Sequence, residues 1–519
     1  MNYTKKPKVI VVGAGVAGLT TGIYLLDNGF DVEIYEKHYI AGGECTGWYR
    51  KGQYIDGCAH WIVGTEPTSE LYPLWEHIGA FDGNPEIFPT EYLTKFQLKD
   101  GRFFTFYSDL DKLENEFLTF FPEDKRAIKR FLNTVKVYRF THIPVKKPLD
   151  LMNWFQYLAY GISLLPMALP FAHYKHVSLE RYIRHFKNED LKSIFLRFLD
   201  PGYNIHSFFY VCQTFSKGDA GVVEGGSLAM MQRVAENFKR KGGKLFLNTP
   251  VDEVLIENKT AYGIRLENGQ ELRADYVVAS TDAHHTLNKL LLRGKVRDKG
   301  FERQFKDDKA NPVHSSMMLA YRTTHNMTDY PRMMDFMIDK PFNWMGCDYT
   351  HFAIRNFTFD KSLPSQNGET LLTVLLPTNE KVYQSLKALS PSEYKEKKAE
   401  FAGIFTKLIL EKTGLKEDEL ELLDVTSPLT YERYTNAYKG SYMSFVTTDK
   451  THGLMRPGLI KGLKNFVIAG QWIMPPGGLP IALFSGKHAA YRITKMAGKK
   501  FLNKEEKALA LLKRFSIGR

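Results

Sequence analysis

The chain has 519 residues, 44% hydrophobic and 25% charged, which is a globular composition, and it exceeds the roughly 250–300 residues one core serves, so two intertwined or consecutive domains are expected. Lysine and arginine outnumber acidic residues 70 to 58, and 13% aromatic content, with 36 Phe and 28 Tyr, points to extensive apolar contact surfaces. Four cysteines, Cys45, Cys58, Cys212 and Cys347, form no C-x-x-C pair and have no histidine at metal-ligand spacing, which argues against a metal site or a disulfide framework and fits a reducing compartment.

The opening MNYTKKPKVIVVGAG has no apolar h-region ahead of a small-residue cleavage site, so a cytoplasmic protein is expected. Val9 to Val12 is a short apolar run bounded by polar residues and glycines, as in a parallel strand buried on both faces. Leu19, Ile23 and Leu26 then recur at helical spacing from Val16 to Asn28. Gly29 stops that pattern, and Asp31 to Tyr35 reads as the next strand.

Residues 151–172 carry no charge and are flanked by Lys146, Lys147 and Lys175. The stretch is long enough for a bilayer, yet Gly161, Pro166 and Pro170 would interrupt a spanning helix, and Asn153, Gln156 and Ser163 are polar. A transmembrane helix, a core or lid segment, and an interfacial element that passes a lipid from bilayer to active site all stay open.

Glu224-Gly-Gly-Ser-Leu opens a helix reaching Lys241, followed by a strand from Lys244 to Leu247 and a meander from Val251 to Val278, in which Asn268-Gly269 signals a hairpin. Phe466 to Ala469 forms another strand, which runs through a Gly/Pro-rich turn into a helix. Residues 491–519 hold nine basic and two acidic residues. Such a tail can meet anionic lipid, nucleic acid or only water; no nucleic-acid motif accompanies it, so none of that class is expected. Asn503 and Glu506 would cap a helix with Ala508, Leu509, Leu512 and Phe515 on one face. With 151–172 it would give peripheral membrane contact through two weak anchors.

Gly13-Ala14-Gly15-Val16-Ala17-Gly18 follows a predicted strand and opens a predicted helix, the context in which G-x-G-x-x-G binds a dinucleotide. Gly13 permits the tight turn, Gly15 lets backbone approach a pyrophosphate, and Gly18 allows close helix packing. Glu36, followed by Lys37, ends the second strand where an acid takes the ribose hydroxyls. A second glycine pair, Gly42-Gly43, comes shortly after, and resembles the signature of glutathione-reductase-like FAD families.

The resemblance sharpens over Gly42-Gly-Glu-Cys-Thr-Gly through Asp56-Gly-Cys-Ala-His-Trp61, and again over Ala469-Gly-Gln-Trp-Ile-Met-Pro-Pro-Gly-Gly-Leu-Pro-Ile-Ala-Leu-Phe-Ser-Gly486. Both stretches resemble the superfamily of phytoene desaturases, carotenoid isomerases and retinol saturases. That resemblance implies an α/β fold: a Rossmann-type, glutathione-reductase-like FAD-binding domain over 1–85, 205–300 and 455–500, an inserted α+β substrate-binding domain over 86–204 and 301–454, and the basic C-terminal helix over 501–519. It implies that Gly470 and Gln471 meet the ribityl chain or phosphate, that Gly478, Leu479 and Pro480 approach the flavin ring, and that the backbone of Val251 meets adenine. Glu44 stands where many members have Arg, and Gln471 where many FAD enzymes have Asp.

His60 and Trp61 fall where family members face the ring; His60 is either a buried structural histidine or a proton donor or acceptor opposite hydride transfer, since imidazole titrates near neutrality. Thr430-Tyr-Glu-Arg-Tyr434 and Gly440-Ser-Tyr442 resemble a segment lining the substrate cavity, which makes Glu432 and Tyr442 further catalytic candidates. No second G-x-G-x-x-G follows a strand, so a dedicated NAD(P)H domain is not expected. The implied activity is FAD-dependent desaturation, saturation or isomerisation of carbon–carbon bonds in an extended apolar substrate such as a carotenoid, retinoid or other lipid. A flavin amine oxidase is one alternative. A non-catalytic prenyl- or lipid-binding protein of the GDP-dissociation-inhibitor type is another.

Overall fold

The apolar run after Lys8 becomes the middle strand of a parallel sheet in the computed structural model, which describes residues 6–58, 60–291, 296–363, 368–451, 453 and 455–505. Five parallel strands lie in the order Lys244–Phe246, Asp31–Tyr35, Lys8–Val12, Tyr276–Ala279 and Phe466–Ile468. The first helix spans Val16–Asp27, with Asn28 as its C-cap, and Gly29 turns the chain at φ +79°. The helix Leu479–Met496 packs beside it; a Cβ on Gly486 would come within 2.5 Å of the Ala17 carbonyl oxygen, so only glycine permits this approach. The expected meander is Val251–Glu257, Thr260–Leu266 and Glu271–Arg273, with Gly269 at φ +87° closing its second hairpin.

A seven-stranded sheet runs Leu420–Thr426, Ser315–Thr323, Thr370–Thr378, Cys347–Asn356, Met333–Trp344, Tyr92–Gln97 and Phe103–Tyr107, drawing on both intervening stretches of chain. Beside it, Phe104, Phe106, Phe117, Phe131, Phe195 and Phe208 fill one core cluster, a large share of the chain's aromatic content. The helix Ile205–Ser216 packs within that cluster, because Ile205, Phe208, Phe209 and Cys212 share its buried side.

Residues 151–172 fold into two helices, Trp154–Ser163 and Leu165–Tyr174, bent by 66°. Asn153 and Gln156 form a reciprocal cap on the first, and Pro166 opens the second. Among the described residues no single helix is long and apolar enough to cross a membrane. Of the expected tail helix, residues 506–519 lie outside the described residues. Its start docks on the protein's own body: Leu502 N–H donates to Asn28 Oδ1 at 2.7 Å, and Glu505 pairs with buried Lys487 at 2.5 Å.

Candidate functional site

The carboxyl ends of the central strands and the amino ends of the two long helices, Val16–Asp27 and Leu479–Met496, meet at one cavity of about 2290 Å³. Sites for one small ligand rarely exceed about 1,000 Å³, so this space suits a dinucleotide together with a second, long molecule.

At the glycine loop, Gly13 is forced by its φ of +99°, and a Cβ on Gly18 would lie 2.0 Å from the Gly13 carbonyl oxygen. Gly15 differs: a Cβ there would meet nothing closer than the Gly42 carbonyl oxygen at 3.8 Å, so it would project into the cavity. Gly15 bridges to Gly42, whose N–H donates to the Ala14 carbonyl at 2.9 Å. Gly43 follows with φ +64°. The helix beginning at Val16 has no side-chain cap, which leaves its first amides and dipole for an anion. Gly13, Gly15, Val16, Ala17, Gly42 and Gly43 line the cavity, whereas Ala14 and Gly18 are packed behind it.

Glu36 lines the cavity and also braces the loop, accepting from Ala14 N–H at 2.7 Å and His38 N–H at 2.9 Å. Lys37 Nζ, also on the cavity, donates to the Arg433 carbonyl and to Asn436 Oδ1. Val251, at the start of its strand, completes this end.

Gly470, Gln471, Gly478, Leu479 and Pro480 line the cavity from the opposite side. Gly478, at φ +84°, donates its N–H to Gln471 Oε1 at 3.0 Å, and leaves the second helix N-terminus without a side-chain cap. Gln471 Nε2 in turn donates to Glu44 Oε2 at 3.0 Å, and Thr435 Oγ1 donates to the other Glu44 oxygen. Burial, helped by the charge of Asp282, pushes the Glu44 carboxyl up to about 8. Burial lifts Asp282 to about 6.

His60 and Trp61 both line the cavity. Burial and then the Arg355 charge push His60 down to about 3, so it stays neutral and does not titrate near neutrality as its residue type suggests. Tyr442 faces the same space, and burial pushes its phenol up to about 12. Glu432 does not reach it. On the helix Pro428–Thr435 the residues Tyr431, Tyr434 and Thr435 share the cavity face, while Glu432 points away and accepts from Tyr383 Oη at 2.8 Å and Lys387 Nζ at 2.7 Å.

Sequence reasoning passed over several wall residues. Asp282 follows the strand Tyr276–Ala279 beside the glycine loop, and its signal is that position, since open parallel sheets bind ligands at strand carboxyl ends. Arg355 and His351 share one face of the strand Cys347–Asn356. Buried Arg197 donates to Asp335 Oδ1 at 2.7 Å and to the Gln97 carbonyl at 2.8 Å, a fixed ion pair in the cavity wall. On the apolar side Tyr160, Leu164, Met167 and Phe171 reach the cavity from the bent helix pair.

A parallel sheet, a glycine loop with open amides and a long second compartment together define a dinucleotide-dependent oxidoreductase. The chain belongs to the flavin-containing amine oxidoreductase family, whose profile matches residues 16–494, and its cofactor is FAD. A phytoene desaturase (neurosporene-forming) of Cereibacter sphaeroides is 29% identical over 306 residues, 55% of this chain and 54% of the relative, so the chain matches about half that relative's length. A 4,4'-diapophytoene desaturase (4,4'-diapolycopene-forming) of a Methylomonas species is 23% identical over 507 residues, 94% of this chain and 95% of the relative. A putrescine oxidase redesigned in its cofactor binding superposes with a TM-score of 0.62 at 15% identity, over 95% of this chain and 99% of that one, and shows the shared fold.

Proposed function

We propose that this flavoenzyme acts on carbon–carbon bonds of an extended apolar polyene, of the carotenoid or retinoid type. The observation that carries this reading is the continuity of one cavity from the glycine loop to an apolar passage under the bent helix pair. The desaturase relatives, named for polyene substrates, agree with it.

In this reading Gly13, Gly15, Val16, Ala17, Gly42 and Gly43 hold the pyrophosphate, Glu36 with Lys37 the ribose, and Val251 the adenine. Gly470 and Gln471 hold the ribityl chain, while Gly478, Leu479 and Pro480 border the ring with Glu44, His60 and Trp61. Bound flavin supplies two-electron chemistry able to take a hydride from an unactivated carbon. The protein's own work is to orient the chain, exclude water and place fixed dipoles. The uncapped N-terminus at Leu479 favours negative charge in front of it. Tyr442 Oη and the Glu44 carboxyl keep their protons at neutral pH, and neutral His60 can only share one by hydrogen bonding.

The bent pair serves as the lipid entry. Its outer residues Trp154, Phe155, Leu158 and Leu169 are exposed, Leu169 by 84%, while Tyr160, Leu164 and Met167 turn toward the cavity. Lys146, Lys147 and Lys175 flank it, which suits an anionic membrane surface.

The test is anaerobic incubation of holoenzyme with a lipid extract, following flavin absorbance and identifying the altered lipid by mass. A polyene changed by two hydrogens, or in double-bond geometry, supports the reading. An unchanged lipid fraction counts against it.

A further inference from the structure

Cys45 and Cys58 stand at the two open ends of the hairpin Gly47–Arg50/Gln53–Asp56. In that ladder Gly47 pairs with Asp56 and Trp48 with Ile55. The Gly57 N–H bonds the Thr46 carbonyl at 3.0 Å, one step beyond that ladder, and Cys45 and Cys58 flank this bonded pair on its outer side. Positions flanking the end of an antiparallel ladder lie close together, and a disulfide bridges Cα atoms roughly 4.4–6.8 Å apart. The neighbouring Cys45 side chain is the largest influence raising the Cys58 thiol.

Both ends are held. The Cys45 N–H donates to the Gly42 carbonyl at 3.1 Å, and Cys58 N–H donates to Asp56 Oδ1 at 3.0 Å. Asp56 also accepts from the Ser227 amide and hydroxyl, which ties the hairpin to the helix Gly226–Arg240. Both cysteines line the cavity alongside Glu44, Gly57 and His60. Cys45 is closed off and Cys58 partly open to that space. Of the other two, Cys212 sits in the aromatic cluster, and Cys347, at the start of its sheet strand, lines the cavity from another wall.

We propose that Cys45 and Cys58 are a redox-active dithiol–disulfide pair that exchanges two electrons with the FAD bound in the same cavity. Oxidation of the pair breaks two S–H bonds and forms one S–S bond. The two electrons and two protons pass to oxidised FAD, the two-electron acceptor of the site, and the reverse transfer restores both thiols. The pair gives the enzyme a reservoir of two electrons beside its cofactor, so that a redox event at the flavin need not be matched at once by an outside donor or acceptor. The Cys45 side chain and burial push the Cys58 thiol up, which keeps it from being a ready thiolate and slows exchange with soluble disulfides.

The experiment is an anaerobic dithionite titration of holoenzyme first oxidised with diamide and freed of it, followed at the flavin's visible absorbance, with acid quenching and mass mapping of alkylated cysteines. The expected uptake is four electrons per FAD in the natural protein and two in Cys45→Ser or Cys58→Ser. The peptides bearing Cys45 and Cys58 should be joined before titration and separately alkylated after it. Uptake of two electrons per FAD by the natural protein, or Cys45 and Cys58 alkylated after diamide treatment, overturns the proposal. The count on the natural protein stands alone should a serine variant lose its flavin.

Discussion

The Gln471 amide donates to the Glu44 carboxyl at 3.0 Å, and these are the two positions at which the chain departs from the pattern it otherwise resembles. An acid here faces an amide. The contact ties the loop after Gly43 to the segment before Gly478 as a neutral hydrogen bond, because Glu44 keeps its proton up to about 8.

That proton makes stability depend on pH. The folded protein holds it up to about pH 8, whereas the unfolded chain releases it near 4.5, so stability falls as pH rises between those values and levels off above them. Glu44→Gln should remove this contribution. Thermal midpoints taken from pH 5 to pH 8 should fall less steeply in the variant than in the natural protein; parallel curves would show that Glu44 is ionised in the fold.

Two glycines of one loop should fail differently. Gly15→Ala places its Cβ in the cavity, so the apoprotein should keep its stability while FAD affinity falls at least tenfold. Gly18→Ala drives its Cβ into the Gly13 carbonyl, so it should cost roughly 1–3 kcal/mol of stability, the usual range for overpacking. Flavin fluorescence titration and urea denaturation separate the two.

Asp335→Ala leaves the Arg197 guanidinium buried without its carboxylate. Breaking such a pair costs about 3–5 kcal/mol, while replacing both partners by apolar residues is often neutral. The urea midpoint should drop sharply for Asp335→Ala and recover in Arg197→Met with Asp335→Leu. Equal midpoints for all three would show that the pair is solvated.

The exposed apolar residues of the bent helices should govern lipid binding. Burying one such side chain contributes about 1.5–3 kcal/mol, so Phe155→Glu or Leu169→Glu should weaken binding to vesicles containing anionic lipid by tenfold or more. Flotation at low and high salt is the measurement. Binding unchanged by both variants would make the helix pair a lid only.

The glycine loop and its flanking strands were legible because a tight turn, a close backbone approach and a period of 3.6 are local properties, and Gly13, Gly15 and Gly29 sit where the turns need them. Pro166 likewise announced the interruption of 151–172, though not its 66° bend, whereas Gly161 and Pro170 lie inside the two helices. Glu432 lies off the cavity for want of helix phase: Tyr431, Tyr434 and Thr435 take the cavity face of their helix, and Glu432 pairs with Tyr383 and Lys387 instead. The nearness of Cys45 to Cys58 depends on the hairpin between them, and the neutrality of His60 on its burial and then on Arg355, which comes from a strand nearly 300 residues away. Neither is encoded at the residue itself.

The most direct measurement mixes oxidised holoenzyme anaerobically with vesicles carrying an all-trans polyene or its partly saturated precursor, and separately with a primary amine, while the visible flavin absorbance is recorded. Bleaching by a polyene with matching loss of two hydrogens, and none by the amine, is the predicted result. Bleaching by the amine alone would contradict the assignment of the apolar passage to a polyene.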